Sequence, residues 1–88
     1  MIRKKFRIQN ETGLHLRPAA RLSTEAMKYQ CSIWIRNGEI ERNGKSLMSI
    51  LGVGARYQDE IEVICDGSDE EKAMENVGRL IEEGLGEE

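Results

Sequence analysis

Alternation of apolar and polar residues predicts the β-strands of this chain. Residues 2–8, 31–36 and 60–65 carry apolar side chains at alternate positions, a period that places them on one face of a strand. The dipeptide Asn37-Gly38 is typical of a two-residue hairpin turn. It is predicted to join the second strand to a short edge strand over residues 39–42.

Three helices are predicted by apolar residues that repeat at helical spacing. The first covers residues 19–29, Ser46 is the N-cap of a short second helix, and Ser68 with Glu71 has the spacing of a capping box before the third. The order βαββαβα indicates an α+β fold with helices on one face of a small sheet. The side chains predicted to be buried in the first and third helices are Ala19, Leu22, Ser23, Ala26, Met27, Met74, Val77, Leu80, Ile81 and Leu85.

Length and charge restrict the class of protein. We expect residues 1–88 to form one domain, because 88 residues supply a single modest core. The net charge of −3 argues against nucleic-acid binding, and the basic residues of the first strand are interpreted as a solvated sheet face. No apolar run has the length of a signal peptide or a membrane span, so we expect a cytoplasmic protein without membrane insertion.

The two cysteines do not have the spacing of a metal site. Cys31 and Cys65 lie far apart in the chain, without a Cys-x-x-Cys pair or a second histidine. We therefore expect no zinc and no cofactor, and both thiols are predicted to be buried and reduced.

The stretch from Gly13 to Ala20, Gly-Leu-His-Leu-Arg-Pro-Ala-Ala, carries the candidate chemistry. It contains the only histidine, His15, and the only proline, Pro18, and proline is tolerated in the first turn of a helix. His15 is thus predicted at a helix N-terminus, where free N–H groups and the helix dipole bind anions. Arg17 adds a forked donor for phosphate oxygens. These residues predict a phosphorylatable histidine.

At these residues the chain resembles the HPr family of histidine phosphocarriers. The family pattern, Gly-Leu-His-Ala-Arg-Pro-Ala, differs from Gly13–Ala19 only at Leu16, and the resemblance covers the whole chain. It implies an open-faced β-sandwich with a four-stranded antiparallel sheet and three helices. It also implies that His15 accepts a phosphoryl group from enzyme I, with phosphoenolpyruvate as donor, and passes it to EIIA-type sugar permease components. Such a protein is a monomeric phosphorylated intermediate and not an enzyme.

A second family motif lies at Lys45–Gly52, which looks like the regulatory serine segment of HPr proteins. A helix N-cap is the simpler interpretation of Ser46, and the same position would stabilise a phosphoserine. The resemblance implies two further partners, an HPr kinase/phosphorylase and a catabolite-control transcription regulator. It also implies an apolar docking surface for partner proteins, formed by Leu16, Ala20, Leu47, Met48 and Leu51.

Three alternatives remain open at the level of sequence. The chain could be a carrier of a nitrogen-related regulatory phosphorelay, or a purely regulatory binding module, although His15 with Arg17 argues against the latter. A small phosphate-ester hydrolase of the acylphosphatase type is disfavoured, because no residue is placed to orient water beside a phosphate cradle.

Overall fold

The fold is a four-stranded antiparallel sheet with three helices on one face, as seen in a computed structural model that describes residues 1–87. The strands lie in the order β1-β4-β2-β3, so β1 and β3 are the edges. The predicted open-faced architecture is confirmed. The elements are β1 (Ile2–Arg7), α1 (Leu16–Ala26), β2 (Ser32–Asn37), β3 (Ile40–Asn43), α2 (Leu47–Leu51), β4 (Glu60–Asp66) and α3 (Glu70–Glu82).

The hydrophobic core lies between the sheet and the helices, as the alternating pattern predicts. Phe6, Ile33 and Val63 point toward the helices from three neighbouring strands and are buried. Ile64 is an exception that the pattern does not predict. It lies on the opposite face, in register with Trp34 of β2, and is nevertheless only 2% exposed.

Three of the four basic residues of β1 are paired with acidic residues of β4. Arg3 contacts the Glu62 carboxylate at 3.2 Å, and Lys5 and Arg7 lie 4.0 and 3.8 Å from Glu60. These exposed cross-strand pairs each contribute little to stability, but they neutralise the basic cluster locally. The interpretation of this face as a solvated sheet surface is supported.

The hairpin between β2 and β3 differs from the prediction by one residue. Asn37 pairs with Ile40 in the ladder, so the two-residue turn is Gly38-Glu39 and not Asn37-Gly38. Asn37 stays in the strand, where its side-chain amide donates to the carbonyl of Val53 at 3.3 Å. Gly38, at φ +62°, supplies the left-handed conformation that a tight hairpin requires.

The predicted capping box of α3 is wrong. Asp69, and not Ser68, is the N-cap residue, and its side chain does not cap its own helix. Its carboxylate instead accepts the backbone N–H groups of Gln30 and Cys31 at 2.8 and 2.9 Å. These hydrogen bonds hold the pKa of Asp69 below its usual value. Asp69 therefore connects the start of α3 to the start of β2.

Gly78 allows α3 to pack closely on β1. A Cβ atom at this position would lie 2.5 Å from the Phe6 ring carbon Cζ. Glycine weakens a helix by about 1 kcal/mol relative to alanine, but here the missing side chain provides the space for a buried aromatic ring.

We predict that Gly78→Ala lowers the free energy of unfolding by about 1–3 kcal/mol, because overpacking against Phe6 outweighs the gain in helix propensity. Urea unfolding monitored by circular dichroism measures the change. In a Phe6→Leu background, where the ring tip is absent, the same substitution should cost much less. Equal costs in both backgrounds would contradict the proposed contact.

Candidate functional site

The loop before the histidine is held in one conformation by short hydrogen bonds. Asn10 is buried, and its side-chain amide donates to the Gly13 carbonyl at 2.6 Å. The backbone carbonyl of Asn10 accepts the Gly13 N–H at 3.1 Å. Gly13 adopts φ +65°, and a Cβ atom there would lie 2.6 Å from the Ala55 carbonyl oxygen. The next residue, Leu14, donates its N–H to the same oxygen at 3.0 Å. Asn10 and Ala55 thus fix the backbone that leads into the site.

His15 is the N-cap residue of α1. Its backbone is extended, with φ −74° and ψ 178°, and its carbonyl accepts the N–H of Ala19 at 2.8 Å. The imidazole makes no capping hydrogen bond and is exposed. The predicted placement at a helix start is confirmed, with Pro18 in the first turn. The predicted helix bounds are wrong, because α1 begins at Leu16 and ends at Ala26.

The first turn of α1 has an uncompensated positive end. The N–H groups of Leu16 and Arg17 have no partner within the helix, as in any helix start, and no acidic residue lies in this turn. Within residues 1–87, no hydrogen bond or ion pair holds the exposed Arg17 guanidinium. Backbone donors, a helix dipole and a forked cation are therefore available within two residues of His15.

The predicted docking residues of α1 lie on the flank that faces α2. Ser23 donates its hydroxyl to the Lys45 carbonyl at 3.0 Å, which identifies this flank. Leu16 and Ala20 precede Ser23 by seven and three positions and share its side of the helix. Leu16 is 55% exposed and Ala20 is half-buried.

The predicted docking residues of α2 are exposed to different degrees. Met48 is 76% exposed, whereas Leu47 and Leu51 are half-buried and pack against the core. Met27, which the helical pattern predicts to be buried, is 66% exposed. The helix ends one residue earlier, so the helical stripe no longer determines where Met27 points. Its sulfur lies 4.0 Å from the Ser23 hydroxyl, on the flank facing α2.

Ser46 is confirmed as the N-cap of α2. Its hydroxyl oxygen accepts the N–H of Ser49 at 3.3 Å. The neighbouring Lys45 directs its ammonium group to the Tyr29 carbonyl, beyond the end of α1. Ser46 therefore has the expected structural role, and it is half-buried.

The cysteines lie outside this site. Cys31 and Cys65 are free thiols in the core, 2% and 0% exposed, and burial raises the pKa of Cys65 to about 12. No group of three or more metal-ligating side chains occurs in the part of the chain that the structure describes. None of the helices there combines the length and apolar character needed to cross a membrane.

Comparisons with known sequences identify relatives over nearly the whole chain. The chain is 38% identical over 86 residues to the multiphosphoryl transfer protein of Vibrio cholerae, covering 93% of this chain but only 21% of that protein. It therefore spans about a fifth of the length of this much longer relative. It is also 32% identical to the phosphocarrier protein HPr of Treponema pallidum, and the match covers 100% of both chains.

A solved structure and a family model agree with these relatives. The crystal structure of HPr-C-His from Thermoanaerobacter tengcongensis superposes with a TM-score of 0.95 at 36% identity, covering 100% of this chain and 99% of that one. The family model described as "PTS HPr component phosphorylation site" matches residues 2–83. The chain therefore belongs to the HPr family of the phosphotransferase system.

Proposed function

We propose that His15 is the phosphoryl acceptor of this phosphocarrier. It takes the group from enzyme I, with phosphoenolpyruvate as the original donor, and passes it to EIIA-type sugar permease components. The observation that carries this proposal is the position of the only histidine, exposed at the uncompensated N-terminus of α1. A group that must receive and then release a phosphoryl group has to be reachable by two different partners, and an exposed N-cap side chain meets that need.

The chemistry is a transfer between nucleophiles. One ring nitrogen of His15 attacks phosphorus while the bond from phosphorus to the donor breaks. The new phosphoryl group carries negative charge, which the N–H groups of Leu16 and Arg17 and the helix dipole stabilise. This stabilisation needs no burial of the phosphohistidine, so the group remains accessible for the next transfer.

Arg17 is proposed to hold and steer the phosphoryl oxygens. Its guanidinium is exposed and makes no hydrogen bond or ion pair within the described residues, so engaging a phosphate would break no such contact there. A planar fork binds two phosphate oxygens at once, which a lysine ammonium does not. We therefore assign Arg17 to the transfer step and not to the fold.

The docking surface, defined as Leu16, Ala20, Leu47, Met48 and Leu51, is proposed to bind enzyme I and the acceptors in turn. It joins the exposed flank of α1 to α2 beside His15. A carrier must dissociate after each transfer, so these contacts should be small and transient. Leu16 is larger than the usual residue of the family motif, and we propose that it influences partner choice without altering the chemistry of His15.

Ser46 is proposed as a regulatory phosphorylation site for an HPr kinase/phosphorylase. A phosphate there would meet the N-terminus of α2, where the Ser49 N–H already binds the hydroxyl oxygen. The charge would lie directly before Leu47 and Met48, so burying it against an apolar partner would be unfavourable. A more basic partner, such as a catabolite-control transcription regulator, would tolerate it.

His15→Ala should abolish phosphoryl acceptance and leave the fold intact, because the chain has no second histidine and the side chain makes no capping hydrogen bond. Incubation with enzyme I and labelled phosphoenolpyruvate, followed by mass spectrometry, tests this. Wild type should gain an acid-labile, base-stable label. An equally labelled His15→Ala protein would disprove the assignment.

Arg17→Ala should slow phosphorylation about tenfold to a hundredfold, the cost of losing a charge-assisted hydrogen-bonded contact, with little change in melting temperature. Arg17→Lys should recover only part of the rate because lysine lacks the fork. Arg21→Ala is the matched control, since Arg21 is also exposed on α1 but contacts Gly86. Equal rates in all four proteins would show that the backbone N–H groups suffice.

Ser46→Asp should raise the apparent Michaelis constant of enzyme I for this carrier, because the added charge opposes docking of an apolar surface. Ser46→Ala should lose about 1 kcal/mol of stability through the missing cap and keep the Michaelis constant. Ser68→Asp places the same charge before α3 and serves as the control. A lower maximal rate at an unchanged Michaelis constant would mean that the charge acts on His15 and not on docking.

A further inference from the structure

We propose that Met48 and Met27 are reversible oxidation sites, and that a hydroperoxide weakens partner docking by converting their thioethers to sulfoxides. The inference rests on the proposed function, because it requires the docking surface beside His15. It concerns a modification of that surface that neither the phosphoryl chemistry nor the Ser46 site requires.

The four methionines differ in solvent exposure. Met48 and Met27 are 76% and 66% exposed, whereas Met74 is 5% exposed in the core. Met1 is 65% exposed, but it directly precedes the edge strand β1, and its terminal ammonium lies 2.9 Å from Glu70 at the start of α3. Met48 therefore belongs to the docking surface, and Met27 lies next to that surface, on the same flank of α1 as Leu16 and Ala20.

The surroundings of Met27 connect it to the segment that contains Ser46. The Ser23 hydroxyl lies 4.0 Å from the Met27 sulfur and 3.0 Å from the Lys45 carbonyl oxygen, which it binds. A sulfoxide oxygen is a stronger acceptor than a thioether sulfur, so it would compete with the Lys45 carbonyl for the same hydroxyl proton. Oxidation of Met27 would then loosen one hydrogen bond between α1 and the start of α2.

The oxidation step is balanced by the peroxide alone. The thioether sulfur donates an electron pair to the outer oxygen of the hydroperoxide, an S–O bond forms, and the O–O bond breaks. The leaving oxygen takes up the hydroperoxide proton and departs as water or an alcohol. Sulfur is oxidised by two electrons and the peroxide is reduced. Methionine sulfoxide reductases reverse the change with a dithiol, which becomes a disulfide while the oxygen leaves as water.

Thiols do not compete for the oxidant in the folded protein. Cys31 and Cys65 are buried beneath the helices, and a neutral buried thiol is a poor nucleophile. Both proposed sites are on the surface, so their conversion to polar sulfoxides leaves the core packing intact. The main effect should appear in docking, with a small loss of stability from the loosened hydrogen bond between Ser23 and Lys45.

The experiment uses the full chain treated with hydrogen peroxide, which is removed with catalase before enzyme I and phosphoenolpyruvate are added. Peptide mass spectrometry quantifies the sulfoxide at each methionine, with buried Met74 as the internal control. We expect the apparent Michaelis constant of enzyme I for the carrier to rise about five- to tenfold, since docking must desolvate the new polar groups. The maximal rate should change little, and reductase treatment should reverse the rise.

The matched control is the double variant Met27→Leu with Met48→Leu, for which the constants before and after peroxide are compared within the same protein. Their ratio should stay near one although Met1 is still oxidised. A rise equal to that of wild type, or an unchanged constant in wild type with both sulfoxides fully formed, would overturn the proposal.

A separate measurement tests the carrier role of His15, on which this proposal rests. Without peroxide, an untreated chain that takes no label on His15 would disprove the carrier role and this inference with it. Met48→Gln introduces a polar group of similar shape without oxidation, and it should raise the Michaelis constant. An unchanged Michaelis constant in this variant would show that Met48 is not part of the docking surface. If the constant is raised but peroxide has no effect on wild type, only the oxidation proposal is wrong.

Discussion

The site depends on a close backbone approach between Gly13 and Ala55. The N–H of Leu14 and the space left by the absent Gly13 side chain bring the chain against the Ala55 carbonyl oxygen. Because α1 begins only two residues later, this contact fixes where the helix starts and therefore where His15 lies. A side chain on Gly13 would both clash with that oxygen and strain a left-handed backbone.

The helix starts of α1 and α2 differ in whether a side chain satisfies their free N–H groups. Ser46 satisfies one of these groups in α2 with its own hydroxyl, as a good N-cap does. His15 occupies the same position in α1 and leaves the groups open. Under the proposed function the phosphoryl group supplies the missing acceptor, so the first turn of α1 would be best satisfied only when the carrier is loaded. A residue better suited to capping would stabilise the empty state instead.

The order of strands and helices could be predicted because alternation and helical spacing are local properties of the sequence. His15 at a helix start followed from Gly13 and Pro18 in the same way. The predictions of the hairpin turn and of the N-cap of α3 are wrong because contacts between distant residues determine both. Asn37 remains in β2 because its amide reaches Val53, and Asp69 leaves its own helix uncapped because it binds the start of β2. Ala55 could not be assigned to the site, since nothing in its neighbourhood indicates that it meets Gly13.

The contact between Phe6 and Gly78 also has a consequence for strand register. β1 pairs with β4 alone, and its basic residues point to both faces, so charge by itself does not specify the alignment. A slip of two residues would keep the facing pattern but would bring Lys4 or Ile8 to the gap at Gly78 in place of the aromatic ring. The fit of the Phe6 ring at Gly78 therefore favours a single register of β1. Since β1 runs directly into the loop before His15, that alignment also determines how many residues the loop has to reach the helix.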